Sequence, residues 1–443
     1  MSTTCPALLI AAPASGQGKT TLTAALARLH TRAGRRVRVF KCGPDFLDPF
    51  WHTLASGAPV HQIDLWMTGE TDAKQRLFEA AQNADLVLVE GVMGLFDGEP
   101  SAADLAMRLG LPVLAVIDAS SMAGTFGALA FGLQHYRPGL PWAGVLANRV
   151  ASDRHAAMLA AAIQPADTCL GTLKRDAAWS LPERHLGLTV ATELGDALER
   201  LDAAADALAA TPLGRMDLND LARWAVRFDR PVDPPLVPRL LEGRTVAIAR
   251  DRAFCFIYQA NVDTLIELGA QVVFFSPLDS HTLPACDALW LPGGYPELHL
   301  EALAANTGVQ EALRAHVAAQ RPVWAECGGM MALFEHLQTT DGVTHPAWGV
   351  LPGRTVMQKR LAGLGPQQLV LDGLALRGHT FHYSVAETTL SPVTHSARSH
   401  ALSAFETGEA LYRHGSVQAS YFHAWFPSSP QATAALFTPR GRS

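Results

Sequence analysis

Leu8-Leu9-Ile10-Ala11-Ala12-Pro13-Ala14-Ser15-Gly16-Gln17-Gly18-Lys19-Thr20-Thr21 (residues 8–21) is an apolar run, a glycine-punctuated loop and the start of an Ala- and Leu-rich stretch. A strand that passes through such a loop straight into a helix is the opening unit of an α/β fold on a parallel sheet. The loop nearly satisfies G-x-x-x-x-G-K-[ST], with Pro13 where the first glycine would stand. The physical logic survives that change. Gly16 and Gly18 let the backbone N–H groups of the Ser15-Gly16-Gln17-Gly18 loop approach phosphate oxygens, and Lys19 reaches the terminal phosphates. Thr20 can ligate Mg²⁺, and the following helix directs its dipole at the anion. The plain alternative is a glycine-rich turn with no ligand; the order of strand, loop and helix favours a nucleotide.

Working outward, short apolar runs at 36–41, 85–90, 113–118 and 143–148 alternate with helical stretches such as 20–33 and 71–84. Near-continuous apolar strands between helices indicate a parallel sheet buried on both faces. Residues 151–230 read as helical, with little strand signal. The segment 230–238 carries four prolines in nine residues and sustains neither regular element. A second series of strands is expected at 245–250, 271–276, 287–292, 322–325, 368–371, 379–384 and 417–421. The expectation is therefore α/β with two doubly wound domains: residues 1–228, a proline-rich linker over 229–243, and residues 244–443.

A magnesium–nucleotide site requires carboxylates at the ends of strands beside the phosphate loop. Lys41-Cys42-Gly43-Pro44-Asp45-Phe46-Leu47-Asp48 ends one strand, and Glu90-Gly91-Val92-Met93-Gly94-Leu95-Phe96-Asp97 ends another. Asp45 and Glu90 are the expected metal ligands with Thr20, and Asp48 and Asp97 are further acids of the same site. Turn or helix-cap roles are the alternative for each acid. As strand-end loop residues they are expected to contribute little stability.

The second half has its own chemistry. In Pro322-Val323-Trp324-Ala325-Glu326-Cys327-Gly328-Gly329-Met330-Met331 a strand stops at a thiol and continues through two glycines into an apolar helix. That is the pattern of a nucleophile elbow, and the helix N-terminus is expected to lower the thiol pKa. The glycine pair in Leu291-Pro292-Gly293-Gly294 can aim a backbone N–H at an oxyanion, with Gly294 and Gly328 as donors. His423, directly after the strand at 417–421, is the expected base for Cys327.

Composition sets limits. The 443 residues are 49% hydrophobic and 17% charged, as in ordinary globular proteins. A net charge of −6 and a pI near 6.3 give no sign of nucleic-acid or anionic-membrane binding. The six cysteines lack CxxC or CxH spacing, which argues against both a disulfide framework and a zinc site. With no signal segment and no membrane-length apolar run, the chain reads as cytoplasmic.

Taken in order, these motifs, with Leu291-Pro292-Gly293-Gly294-Tyr295-Pro296-Glu297, Arg377-Gly378-His379-Thr380-Phe381-His382-Tyr383-Ser384 and Ala419-Ser420-Tyr421-Phe422-His423, resemble the cobyrinate/hydrogenobyrinate a,c-diamide synthases. The likeness runs over nearly the whole chain. It implies an N-terminal dethiobiotin-synthetase-like ATP domain and a C-terminal, flavodoxin-like class I glutamine amidotransferase domain. It implies ATP as co-substrate with Mg²⁺, and L-glutamine and a corrinoid polycarboxylate as further substrates. Cys327 would be the nucleophile and His423 its activator, although Trp425 stands where many relatives complete a His-x-His. Asn148 matches a position that reads adenine. Lys41, Arg149, Lys174 and Arg175 are expected cationic partners for substrate carboxylates. A homodimer is one assembly compatible with the sequence. Two rival readings are the same chemistry on another tetrapyrrole, such as nickel-sirohydrochlorin, and a ParA/MinD-like P-loop ATPase, which would leave Cys327 and His423 idle.

Overall fold

The structure, a computed structural model, describes residues 1–165, 168–184, 187–188, 194–232, 237–398 and 408–439. The chain separates into two compact units, Met1–Asp233 and Pro234–Ser443. Residues 233–236 of the proline-dense connector lie outside the described residues.

In the first unit β1 (Ser2–Ala11), β2 (Val37–Cys42), β3 (His61–Ile63), β4 (Leu86–Glu90), β5 (Val113–Asp118), β6 (Trp142–Val150) and β7 (Cys169–Lys174) lie side by side in the order β3-β2-β4-β1-β5-β6-β7. Every pairing in that row is parallel. Alternate side chains of one strand enter different cores. Leu9, Ala11, Val87 and Val89 join one, while Leu8, Ile10, Leu86 and Leu88 join the other. Helices therefore cover both faces. Two of them, α1 (Lys19–Arg32) and α2 (Asp48–Ser56), start beside the strand ends that matter for the site. The expected lack of strands over 151–230 is corrected here. β7 is an edge strand whose short run is broken by Gly171 and Thr172. β8 (Ala225–Asp229) runs antiparallel to Ser2–Pro6, burying Val226 and Phe228 and exposing the residues between. Its period-2 alternation was present in the sequence, inside a stretch dominated by alanine and leucine.

The second unit is built on β9 (Thr245–Ala249), β10 (Gln271–Phe275), β11 (Ala288–Leu291) and β12 (Val323–Glu326). They are followed by β13 (Phe334–Gln338), β14 (Thr344–Pro346), β15 (Leu351–Met357), β16 (Gly363–Leu371), β17 (Leu374–His382), β18 (Ser384–Glu387), β19 (Thr394–His395), β20 (Ala397–Arg398), β21 (Ala410–His414), β22 (Val417–Ser420) and β23 (His423–Ala424). The central sheet is ordered β10-β9-β11-β12-β22-β21-β19. Its first five strands are parallel and follow the flavodoxin order of second, first, third, fourth, fifth. Two more four-stranded sheets, β14-β13-β15-β18 and β20-β16-β17-β23, were not foreseen. The strand expected at 368–371 is the end of nine-residue β16, whose first half is masked by Gly363, Gly365 and Pro366. The run expected at 379–384 crosses from β17 into β18. This sheet bears on the site because it ends on β23 and sets His379 directly opposite His423.

Candidate active sites

In the first unit the loop between β1 and α1 turns through Gly16 and Gly18, at φ 76° and 97°. Gly18 caps α1 in the left-handed region, and a Cβ there would fall 2.2 Å from Asn148 Nδ2. Only glycine satisfies both demands. Asn148 Nδ2 donates to the Gln17 carbonyl at 2.9 Å, and Gln17 Oε1 accepts from the Asp118 N–H at 2.8 Å. The loop is thereby moored to the ends of β5 and β6. Lys19 Nζ donates to the carbonyls of Met93 and Ala14, at 2.7 and 3.3 Å. Burial, aided by the nearby Lys41 charge, holds the Lys19 pKa below its ordinary value. An anion in the loop would relieve that strain on the ammonium.

Thr20 Oγ1 donates to Glu90 Oε1 at 2.8 Å. Glu90 ends β4, as expected, and is fully buried. Lys41 Nζ lies 3.1 Å away and His52 Nε2 bonds its other oxygen. Burial opposes the Glu90 charge, yet Lys41 and His52 hold its carboxyl well below the usual range. The Lys41 ammonium is also 2.5 Å from Asp48 and 4.0 Å from Asp45. Lys41, expected as a partner for substrate carboxylates, is thus surrounded by three protein acids. Asp48 and His52, one turn apart, share a face of α2. His52 was missed, although its four-residue spacing from Asp48 was legible.

Asp45 Oδ1 accepts from the N–H groups of Leu47 and Asp48, at 2.8 and 3.0 Å, and so holds the start of α2. Asp97 Oδ2 accepts from Gly94 N–H at 3.0 Å, shaping the turn that presents the Met93 carbonyl to Lys19. Among the described residues no three His, Cys, Asp or Glu side chains are grouped to hold a metal. Thr20 and Glu90 nonetheless set a hydroxyl and a carboxylate together. A cavity of about 400 Å³ beside Gly18 is lined by Thr21, Asn148, Arg149, Lys174, Arg175 and Trp179, among others. Arg149 pairs with Asp118 at 2.6 Å and Lys174 with Asp153 at 2.8 Å, while Arg175 lines the cavity wall.

In the second unit Cys327 sits between β12 and α3 (Gly328–Leu333), at φ 45° and ψ −108°. Positive φ in a non-glycine residue is a strained conformation, as at other nucleophile elbows. The two glycines explain how the turn closes. A Cβ on Gly329 would meet the Leu291 carbonyl at 2.1 Å, and one on Gly328 would meet Gly294 N and Pro296 Cδ at 2.9 Å. The elbow thus packs backbone against backbone on the Gly293–Gly294 turn. Burial, then the Glu297 charge, push the Cys327 pKa well up. The expected lowering is overturned: six-residue α3 and the Gly328 N–H do not offset desolvation.

Cys327 and His423 follow β12 and β22, adjacent parallel strands in which Glu326 pairs with Ser420. The His423 ring packs on Gly293, with Cε1 2.5 Å from where a Cβ would stand. Burial, with His379 and His382 nearby, lowers its pKa well below the ordinary value and keeps the imidazole neutral. Glu326 Oε2 is 3.9 Å from His423 Nδ1, beyond hydrogen-bond reach. Glu326 also accepts from Trp324 Nε1 at 2.6 Å and from Ala424 N–H at 3.2 Å, and burial pushes its pKa up to about 8. His379 stacks on His423 with centroids 4.9 Å apart and meets the Tyr258 hydroxyl at 2.7 Å. A second imidazole therefore reaches the site from β17, although Trp425 interrupts the His-x-His pattern. His382 stacks on Tyr421 at 3.8 Å and bonds Glu409 at 3.1 Å. The sequence had given His379 and His382 no role.

Comparison with known proteins places both halves. Residues 8–188 match the CobQ/CobB/MinD/ParA nucleotide binding domain, and residues 245–431 match the CobB/CobQ-like glutamine amidotransferase domain. The chain is similar over its full length to curated synthases. It is 56% identical to the hydrogenobyrinate a,c-diamide synthase of Pseudomonas aeruginosa, covering 98% of each chain. It is 55% identical to that of Stutzerimonas stutzeri, covering 99% of this chain and all of the other. The chain belongs to the cobyrinate/hydrogenobyrinate a,c-diamide synthase family. A cobyrinate a,c-diamide synthase from Herminiimonas arsenicoxydans is 46% identical over 98% of this chain and 96% of its own. As a member of this family the chain is a glutamine-hydrolysing, amide-forming ligase with ATP as co-substrate. A lone partitioning ATPase has no counterpart to residues 245–431. Among the described residues no helix is long and apolar enough to cross a membrane.

Proposed function

We propose that the chain amidates the a- and c-acetate carboxylates of hydrogenobyrinate, in cobalamin biosynthesis, using one ATP and one glutamine for each amide. Cys327 gives its proton to neutral His423 and its sulfur attacks the glutamine carboxamide carbon. The N–H groups of Gly294 and Gly328 receive the oxyanion. His423 returns the proton to the departing ammonia, and water then hydrolyses the glutamyl thioester. In the nucleotide unit a substrate carboxylate takes the γ-phosphoryl group, because a free carboxylate is a poor electrophile and hydroxide a poor leaving group. Ammonia attacks the acyl phosphate and inorganic phosphate leaves.

Lys19 stabilises the transferring phosphoryl group, Asn148 borders the cavity beside Gly18 that would take the nucleoside, and Thr20 and Glu90 would hold Mg²⁺. Both are hard oxygen donors placed side by side, as that ion requires, and it would neutralise charge developing on the phosphates. Lys41 and His52 keep Glu90 ionised and oriented. The observation that carries this reading is a strained thiol elbow and a buried imidazole that follow adjacent parallel strands, downstream of a moored phosphate loop. The test is mass spectrometry of products from hydrogenobyrinate and cobyrinate, each with ATP, Mg²⁺ and glutamine. Diamide from hydrogenobyrinate, with ADP formed in step, is expected, and omitting Mg²⁺ should stop it. Amidation of cobyrinate alone, or only of another tetrapyrrole such as nickel-sirohydrochlorin, would overturn the substrate assignment.

A further inference from the structure

Beside the thiol elbow stands an acid whose charge is of the wrong sign for thiolate chemistry. Glu297 lies in the single turn Pro296–Leu298, and its neighbour Pro296 contacts the elbow where a Gly328 Cβ would be 2.9 Å from the proline Cδ. After burial, Glu297 is the largest influence raising the Cys327 pKa. Its Oε2 is sealed from solvent and, among the described residues, has no hydrogen-bond partner. A carboxylate oxygen buried without a donor costs free energy, more so when the group is charged. The Glu297 backbone N–H offsets the burial only in part, and Tyr295 and Leu298 bond elsewhere, to the Ala253 and Tyr295 carbonyls. Burial pushes the Glu297 pKa up to about 7, the response of a carboxyl that lacks a cation.

Resting on the glutaminase reading above, we propose that Glu297 binds the α-ammonium group of glutamine. The carboxamide of that substrate must lie against Cys327, and its far end carries one cation and one anion. The cation is what the sealed Glu297 oxygen lacks. Its arrival also cancels the negative charge that opposes the thiolate, so an amino acid with a free α-ammonium helps to activate the nucleophile that cleaves it. Glu297 is thus a substrate-binding and specificity residue, and takes no proton in the reaction.

The test compares glutamine with 4-carbamoylbutanoate, which is glutamine without its amino group, in the whole enzyme and in Glu297→Gln. Glutaminase kcat/KM is measured for both amides, and thermal melting checks that the variant is folded. The parent should prefer glutamine, and in Glu297→Gln that preference should shrink about 10- to 100-fold, the range for a lost charge-assisted hydrogen bond. The loss should fall on glutamine, while 4-carbamoylbutanoate, which cannot cancel the Glu297 charge, should be cleaved at least as well as by the parent. Equal losses on both amides would mean that Glu297 only supports the elbow, and no loss on either would mean that the ammonium lies elsewhere; each result overturns the proposal. Glu297→Asp provides a second variant, retaining the charge and part of the preference. Cleavage of either amide by Cys327→Ala would instead overturn the glutaminase reading itself, which keeps the two failures apart.

Discussion

Glu326 lies next to Cys327, and its carboxyl stays protonated to about pH 8 because it is enclosed. Its ordinary value is 4.5, so between those limits the folded state holds a proton that the unfolded state releases. The contribution is complete below pH 4.5 and is lost as pH rises through about 8, on the order of 5 kcal/mol at most. His379 behaves oppositely. Its pKa is lowered to about 3 from 6.5, so its contribution is present above 6.5 and lost as pH falls. Glu326→Gln keeps an acceptor for Trp324 Nε1 and the Ala424 N–H, so melting temperature should fall less steeply from pH 6 to 9 than in the parent. An unchanged slope would mean that Glu326 is ionised in the folded protein. At this scale the elbow at Cys327 and the loop carrying Lys19 were legible because motifs fix their neighbours in sequence. The acidity of Cys327 was not, because it depends on how much protein encloses the thiol and on Glu297. Glu326 passed unnoticed as an ordinary strand residue.

Single elements make the sites by close approach. The Gly329 turn leaves 2.1 Å between a would-be Cβ and the Leu291 carbonyl, with backbone on both sides. Gly329→Ala should therefore displace the elbow, lowering glutaminase activity at least about 100-fold and stability by roughly 2–4 kcal/mol, read by glutamate release and denaturant titration. Normal glutaminase activity in that variant would contradict the packing described here. On the other sheet Glu90 was expected to matter little for folding, as a loop acid at a strand end. It is instead sealed between Thr20, Lys41 and His52. Glu90→Gln should cost about 2–4 kcal/mol as well as most synthetase turnover, since it leaves the buried Lys41 with one acid fewer. Denaturant midpoints against those of Asp45→Asn, which is expected within about 1 kcal/mol of the parent, measure the difference. The parallel strands were legible from their apolar runs, except the short edge strands β3 and β7. β8 was not legible, and only the end of β16 was: one hid its alternation among alanines, and the other began with glycines and a proline. The sheet formed by β16 and β17 delivers His379, so the missed element and the missed residue have one cause.

Across the whole chain, each unit has its own buried cores on both faces of its own sheet, and each carries one half of the chemistry. The order of motifs along the sequence already separated an ATP-using half from a thiol-using half. The tertiary surroundings that decide protonation did not follow from that order. The central claim is that ammonia made at Cys327 is consumed at a distinct ATP-dependent site. The most direct measurement is diamide formation by purified Cys327→Ala, with ATP, Mg²⁺ and hydrogenobyrinate, supplied with glutamine or with concentrated ammonium salt at a pH where ammonia is present. The account predicts no product from glutamine, since no glutamyl thioester can form, and near-parental product from ammonia. Product from glutamine, or none from ammonia by a folded variant, would contradict it.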